Sequence, residues 1–543
     1  MKLVLLQPPV QDFYHTPVRL MPLGLAYLKA AVRKYFPGVE VVIKDFHQGW
    51  GSRTLPWPSD LNYLKPYYDL PDQSPFSVFQ RFRHFGASFE TVAAETAREK
   101  PDLVGLSSLF TPYYREVLAC ADAIKKVLKV PVLVGGSQVS AAPELMLAHP
   151  AVDWVIRGEG ERPLVELLKA WAAERDLRRV PNLGYKIEGR PFFNPLEENF
   201  PLDDLPHPDL SDFPPARYSL GKRPLCFLIA SRGCPHHCSF CSVHLTFGPR
   251  YRRRSTADLI REIEARVQEG YRVFDFEDDN LTYDREEMLR LCRHLERTYP
   301  PGKIECLAMN GISFQSLDPE LLRRMKQAHF THLNLALVSG NPLTRAGVTR
   351  PHALDRYLEV VQEARRLGFC IVSYQIMGLP GESLASQIGT LRLAARLPVL
   401  IGASPFYVIP GTAIARSLPP LKEVDLYKAR LTALAFESAE VCRDDLYTLL
   451  ISTRIINFFK GLRFPAARLS LGEALTFAQS SGERAADGVE IFKRLLQEKQ
   501  LYAATRDGLK PRPRFRAALF FEIWDTLEEL VTQAGKSIIL RDH

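Results

Sequence analysis

The sequence predicts an α/β chain in three successive parts: a doubly wound, Rossmann-like domain over residues 1–200, a partial (β/α)6 barrel over 218–418, and a mainly helical region over 419–543. Three observations predict it. Short apolar runs alternate with amphipathic segments in two separate series, which is the pattern of parallel sheets covered by helices. A proline-rich stretch, with Pro191, Pro195, Pro201, Pro206, Pro208, Pro214 and Pro215, separates the two series as an extended connection over residues 185–217. Past Pro419 the strand-like runs give way to mostly helical patterns.

In the first series the strands are Lys2–Leu6, Val39–Lys44, Leu103–Ser107, Pro131–Gly135 and Trp154–Arg157. Helices at Leu23–Lys34, Tyr114–Leu128 and Pro143–Ala148 alternate with them, as a parallel sheet requires. Residues 49–90 interrupt this rhythm with Trp50, Trp57, Tyr63, Tyr67, Tyr68 and Phe76, too apolar for a linker and suited either to a lid or to packing on a neighbouring domain. The second series has six strands, at Leu225–Ser231, Val273–Glu277, Ile304–Ala308, His332–Val338, Cys370–Met377 and Leu400–Val408. In a barrel of this kind the active site lies at the C-terminal strand ends.

Composition excludes several classes. With 543 residues the chain is long enough for about three or four domains of roughly 150 residues. Its 46% hydrophobic and 24% charged content is that of a folded globular protein rather than a disordered or fibrous one. The net charge of +8 is diluted over this length, and Arg250-Tyr251-Arg252-Arg253-Arg254 is the one dense basic run, so nucleic acid is not indicated as a partner. The apolar run Leu3–Leu6 is too short for a signal peptide, and no apolar stretch approaches 18 residues, which predicts a cytoplasmic protein without a transmembrane segment.

Of nine cysteines, Cys234, Cys238 and Cys241 fall within eight residues, directly after a predicted strand and the turn Arg232-Gly233. Such crowding suits metal binding by thiolates better than a disulfide framework. Three thiolates without an obvious fourth leave one iron of a four-iron cluster open to another ligand, which means chemistry rather than storage. A zinc knuckle completed by His236 or His237 is the alternative. The other six cysteines are isolated and suit burial as small apolar residues.

The spacing C-x-x-x-C-x-x-C, with Phe240 before its last cysteine and a partial barrel around it, resembles the radical S-adenosylmethionine (SAM) superfamily. The resemblance implies a [4Fe–4S] cluster held by Cys234, Cys238 and Cys241, whose open iron binds SAM for reductive cleavage to methionine and a 5′-deoxyadenosyl radical. It implies an electron donor such as flavodoxin or ferredoxin. Later strand ends extend it. Asp278 in the acidic turn Glu277-Asp278-Asp279 faces SAM or substrate on this reading and caps the helix near Arg285 on another; Asn310 ends the third strand. Gln375, Ile376 and Gly378 fall in a segment similar to G-x-I-x-G-x-x-E, with Gln375 near its first glycine, and Val408 precedes a Pro-Gly-Thr ending. Together with Phe240 these are the expected SAM contacts. Val338 stands where many relatives carry a glutamate, so a charged contact to SAM or substrate is either missing or supplied elsewhere, with Arg345 and Arg350 as the candidates.

Upstream, small residues recur at successive strand ends: Ser107 and Ser108, then Gly135, Gly136 and Ser137, then Gly158 beside Glu159. They let a broad flat ligand approach the sheet edge. With Pro8 after the first strand, they resemble the cobalamin-binding domain of cobalamin-dependent radical SAM enzymes, and with the barrel the resemblance to that class covers roughly residues 1–415. The Asp-x-His-x-x-Gly of ordinary cobalamin domains is replaced by Gln7-Pro8-Pro9, and neither His15 nor His47 has the spacing of a lower ligand. The resemblance implies methylation of an unactivated carbon in a small-molecule or lipid-like substrate. Rearrangement or cyclisation without methyl transfer is one alternative, and a non-catalytic cobalamin or cluster-binding sensor another. No motif names a catalytic residue.

Overall fold

The computed structural model describes residues 1–18, 20–350 and 352–541. Contacts gather them into two compact units, one made of residues 1–56, 82–279 and 408–429, the other of 57–81, 280–407 and 430–543. These units cut across the three consecutive blocks expected from sequence, because the predicted barrel strands are shared between them.

The first unit carries a seven-stranded sheet of β1 (Lys2–Gln7), β2 (Glu40–Asp45), β3 (Leu103–Ser107), β4 (Val132–Gly135), β5 (Trp154–Ile156), β6 (Leu183–Ile187) and β7 (Arg190–Phe193), in the order β7-β6-β5-β4-β3-β1-β2. The first five strands are mutually parallel. Leu3 to Leu6 are fully buried, as a strand covered on both faces requires. Strand order reverses at β1, so the crevice beyond the C-terminal ends of β1 and β3 is the switch point where ligands of such sheets bind. β6 and β7 form an antiparallel edge where sequence suggested the start of a linker. Pro191 misled that reading; an exposed edge strand tolerates a residue without an N–H. The same unit holds β8 (Arg223–Leu228) and β9 (Val273–Phe276), parallel and joined through the helix Thr256–Gln268, whose N-terminus is capped by Ser255.

The second unit holds β10 (Glu305–Leu307), β11 (His332–Val338), β12 (Cys370–Met377) and β13 (Leu400–Pro405), the last three forming a parallel sheet in that order. β12 alternates strictly. Ile371, Ser373, Gln375 and Met377 are buried, whereas Val372, Tyr374 and Ile376 lie on a half-open face. The C-terminal region is mainly helical, around the long helix Arg443–Gly461, but adds a small three-stranded sheet and the hairpin Tyr502–Thr505/Gly508–Pro511. Among the described residues no helix is long and apolar enough to cross a membrane.

The aromatic stretch within residues 49–90 is packing. Tyr63 and Tyr68 donate to the carbonyls of Ala433 and Thr432 (2.7 and 2.9 Å), and Tyr67 donates to Asp444 (2.5 Å). Asp72, wholly buried, accepts from Arg512 Nη2 (2.5 Å) and from the Ala504 N–H (3.0 Å). Removing one member of a buried pair leaves the other charged and uncompensated. Asp72→Ala is therefore expected to lower unfolding free energy by about 3–5 kcal/mol in urea titrations followed by circular dichroism. A loss below about 1 kcal/mol would show that Arg512 finds water or another acceptor instead.

Candidate active site

The cysteine loop grows out of β8. Ser231 and Arg232 pair antiparallel with Arg252 and Arg253, and Gly233 turns the chain at φ +79°, where a Cβ would stand 2.4 Å from the Arg250 carbonyl oxygen. Only glycine fits there. The loop is pinned from several sides: the Cys241 N–H donates to Cys238 O (3.0 Å), the Ile414 N–H to Ser239 O (2.8 Å), and His244 Nε2 bonds the His236 carbonyl (2.7 Å). His237 stacks on His244 with ring centroids 4.6 Å apart.

The acidic turn after β9 supports this loop. Asp278, buried, accepts from the Ala230 N–H (3.0 Å) and from Ser231 Oγ, and Asp279 Oδ2 accepts from the Gly233 N–H (3.2 Å). Burial raises both carboxyls, Asp279 to about 6 with the neighbouring Asp278 charge adding to the effect. Neither caps the helix Arg285–Thr298; Asp284 does, accepting from the Glu287 N–H. Asp278 thus ties the ends of β8 and β9 together.

The three thiols fit an iron–sulfur cluster. Burial pushes the Cys241 thiol up to about 12, and Cys238, Asp279 and Cys234 add to the rise, so the thiols feel one another as charges. A cationic cluster reverses that penalty, since a coordinating thiol is held deprotonated. Among the described residues no three or more Cys, His, Asp or Glu side chains stand close enough to share one metal ion. Four-iron cubes bind each thiolate at a different corner, so a wider spread is what they need.

Upstream of the loop, Arg232 is buried between two carboxylates, donating to Glu159 (2.7 Å) and Glu161 (2.6 Å), while Arg252 donates to the second oxygen of Glu159 (2.5 Å). Glu159, expected as a cobalamin contact, is therefore committed to two arginines at the end of β5. The neighbouring strand ends close on themselves in part. Ser108 donates its N–H to Gly135 O (2.7 Å) and its hydroxyl to Gln138 Oε1 (3.0 Å). A Cβ at Gly136 (φ +121°) would stand 2.4 Å from Ser108 O. Gly158 donates to Ser140 Oγ (2.8 Å), and Ser137 starts the helix Ser137–Ala141. Ser107 ends β3 at the switch point; Pro8 follows β1 there and is buried. Two features fit a bound cofactor at this edge: among the described residues Gln138 Nε2 is buried without a hydrogen-bond partner, and a Cβ at Gly135 would meet only Ile156 O, at 3.8 Å. His47 is buried with Nε2 bonded to Val18 O (2.8 Å), and His15 is exposed.

Of the expected SAM contacts, Phe240 and Val408 lie half-buried in the first unit. In the second, Ile376 lies on the half-open face of β12 and Asn310 is exposed, whereas Gln375 points the other way, toward the helices behind the sheet. The period-two rule of a strand puts neighbours on opposite faces, so Gln375 and Ile376 cannot both meet one ligand by their side chains. Tyr374 floors the open face, its hydroxyl donating to Met309 O (2.8 Å) and accepting from Asn334 Nδ2 (2.7 Å). Gly402 clears room for the ring, since a Cβ there would come within 2.5 Å of it. Arg345 and Arg350 donate to the carbonyls of Ser339 (2.8 Å) and Ala336 (3.1 Å). Sequence reasoning missed Arg232, Glu161 and Tyr374. The signal for Glu161 was present in Arg157-Gly-Glu-Gly-Glu161, where Gly158 and Glu159 drew the reading and Glu161 did not.

Comparison with known proteins agrees with this layout. Residues 228–394 match the radical SAM superfamily and residues 76–168 match the B12 binding domain. The chain is 26% identical over 318 residues to the uncharacterized methyltransferase PH0819 of Pyrococcus horikoshii, covering 58% of this chain and 68% of that protein. It is 27% identical over 433 residues to the cytidylyl-2-hydroxyethylphosphonate methyltransferase of Streptomyces wedmorensis, covering 70% and 75%. In fold it is similar to the radical SAM methyltransferase TsrM of Kitasatospora setae, solved with cobalamin and a [4Fe–4S] cluster, with a TM-score of 0.59, 18% identity and 76% of each chain covered.

The Arg232 cluster is testable directly. Arg232→Met leaves Glu159 and Glu161 buried with one fewer cation, and a loss of about 3–5 kcal/mol in unfolding free energy is expected. Iron retained after anaerobic reconstitution is expected to fall as well, because Gly233 follows at once. Wild-type iron content in a destabilised variant would separate the ion cluster from the loop.

Proposed function

We propose that this chain, which belongs to the radical SAM superfamily and carries a B12-binding domain, is a cobalamin-dependent radical SAM methyltransferase acting on an unactivated carbon of a small-molecule or lipid-like substrate. The observation that carries the reading is the buried bridge from Arg232 to Glu159 and Glu161, which joins the thiol loop to the strand ends of the B12-binding sheet.

Cys234, Cys238 and Cys241 would hold the [4Fe–4S] cluster, and the crevice edge from Ser107 to Ser137 would hold cobalamin. When bound, these groups and SAM supply one-electron cleavage of SAM and carriage of a methyl group. The chain's own share is placement. Asp278 and Asp279 hold the backbone of Ala230 and Gly233, the residues that lead into the thiol loop. Ile376 and the Gly378 turn bound the open face of β12, and Tyr374 limits how deep a ligand descends. Phe240, Asn310 and Val408 are the further SAM contacts in this reading, and Gln375 serves from behind the sheet. A reduced flavodoxin or ferredoxin would deliver the electron.

The test is anaerobic purification from cells supplied with cobalamin, followed by reconstitution with iron and sulfide. Stoichiometric cobalt and reductant-dependent 5′-deoxyadenosine are expected. Cys234→Ala is expected to lose iron and 5′-deoxyadenosine while keeping cobalt. A folded, iron-loaded chain without cobalt would overturn the methyltransferase reading.

A further inference from the structure

Behind β12, three buried polar side chains line one small cavity: Gln375, Glu382 and Gln387, exposed by only 2%, 2% and 3%. Leu391 and Leu449 help to close it. The volume open to the centre of a water molecule is about 10 Å³, which is room for one. Four polar atoms of these lining residues have no hydrogen-bond partner among the described residues: Gln375 Oε1 and Nε2, Glu382 Oε2 and Gln387 Nε2. Buried groups of this kind are normally paired with protein or with an ordered water.

The bonds already made fix what the cavity asks of a ligand. Gln387 Oε1 accepts from the Gly378 N–H (3.0 Å), so its Nε2 presents a donor inward. Glu382 Oε1 takes the hydroxyls of Ser339 (2.6 Å) and Ser386 (3.0 Å), and the Thr344 hydroxyl supports the same carboxyl, while Oε2 keeps an open acceptor position. A ligand must therefore accept from Gln387, donate to Glu382 and pair with either end of the Gln375 amide. An alkali cation is repelled by the Gln387 N–H, an ammonium ion has no lone pair with which to accept it, and an anion is repelled by the glutamate. Water meets all three demands.

We infer that this cavity is a built site for a single buried water, which locks Gln375, Glu382 and Gln387 together and so fixes the turn from Gly378 to Glu382. Glu382 ties that turn to Ser339 at the end of β11, and Gln387 ties it to Gly378 at the end of β12. Both strand ends are thereby set from behind the sheet. The consequence for SAM rests on the function proposed above; the water site does not.

Two measurements test it. Crystals soaked in thallium(I) are expected to show one full, non-anomalous density peak within hydrogen-bond reach of Glu382 Oε2 and Gln387 Nε2. An anomalous peak, a cavity without density, or a Gln375 or Gln387 side chain turned to bond Glu382 directly would overturn the site. SAM affinity of the reconstituted protein is then compared with that of Gln387→Met, which keeps the side-chain length and removes both bonds. A loss of roughly tenfold, the scale of one hydrogen bond, is expected. Unchanged affinity would overturn the positioning role. A wild-type protein that binds no SAM at all would instead sink the functional reading, with the density still deciding the water.

Discussion

The first unit depends on one guanidinium. Arg232 lies two residues before Cys234, stacks over the Tyr27 ring at 5.1 Å, and spends its two terminal nitrogens on Glu159 and Glu161. Asn199 Nδ2 holds the other oxygen of Glu161 (2.7 Å) and Arg252 the other oxygen of Glu159. Two arginines thus balance two glutamates, and no carboxylate oxygen is wasted. Desolvating such a group returns little net stability, because the attraction mainly offsets the cost of taking four charges out of water. What it does provide is position: few other side-chain arrangements satisfy all these atoms at once, so the thiol loop and the end of β5 are held at one separation.

Much of the fold was legible in the sequence because parallel strands buried on both faces leave an unmistakable apolar signature, and because the spacing of three thiols is a local property of the chain. Those features need no knowledge of what packs where. The misread parts all depend on tertiary partners. Pro191 looked like a linker residue until β6 offered it an edge to occupy. The aromatic stretch around Tyr63 to Phe76 gave no hint that its hydroxyls answer carbonyls more than 360 positions away, at Thr432 and Ala433. The pairing of Glu159 with Arg232 and Arg252 is equally invisible from its place after a glycine at a strand end, because both arginines are remote in sequence.

Gln375 shows how a motif and a periodicity compete. Alignment to a pattern assigns each position a role in order, but a strand alternates, and the buried sequence Ile371, Ser373, Gln375, Met377 commits every second residue to the back of the sheet. Counting that alternation in the sequence alone would have placed Gln375 behind Ile376. The motif's turn survives because its backbone, not that side chain, makes the corner, with Gly378 at φ +79°.

The end of β11 carries the counterpart of this arrangement in strained form. Val338 sits at φ +71°, with the Ser339 N–H closing on Leu337 O (3.0 Å), a γ-turn geometry that a β-branched residue adopts only under constraint. The constraint is visible: Arg350 takes the Ala336 carbonyl, Arg345 takes the Ser339 carbonyl, and Glu382 takes the Ser339 hydroxyl. Every one of these groups acts on the turn through backbone or from the buried side. Strain of about 1–3 kcal/mol persists only where surrounding bonds over-determine the conformation. Here they do so beside the half-open face of Ala336, Tyr374 and Ile376, where the Tyr374 hydroxyl bonds Met309 and Asn334. The second unit therefore fixes its strand ends largely from behind the sheet, through backbone carbonyls and the Glu382 carboxyl, so the half-open side chains of β12 are not needed to hold the turn.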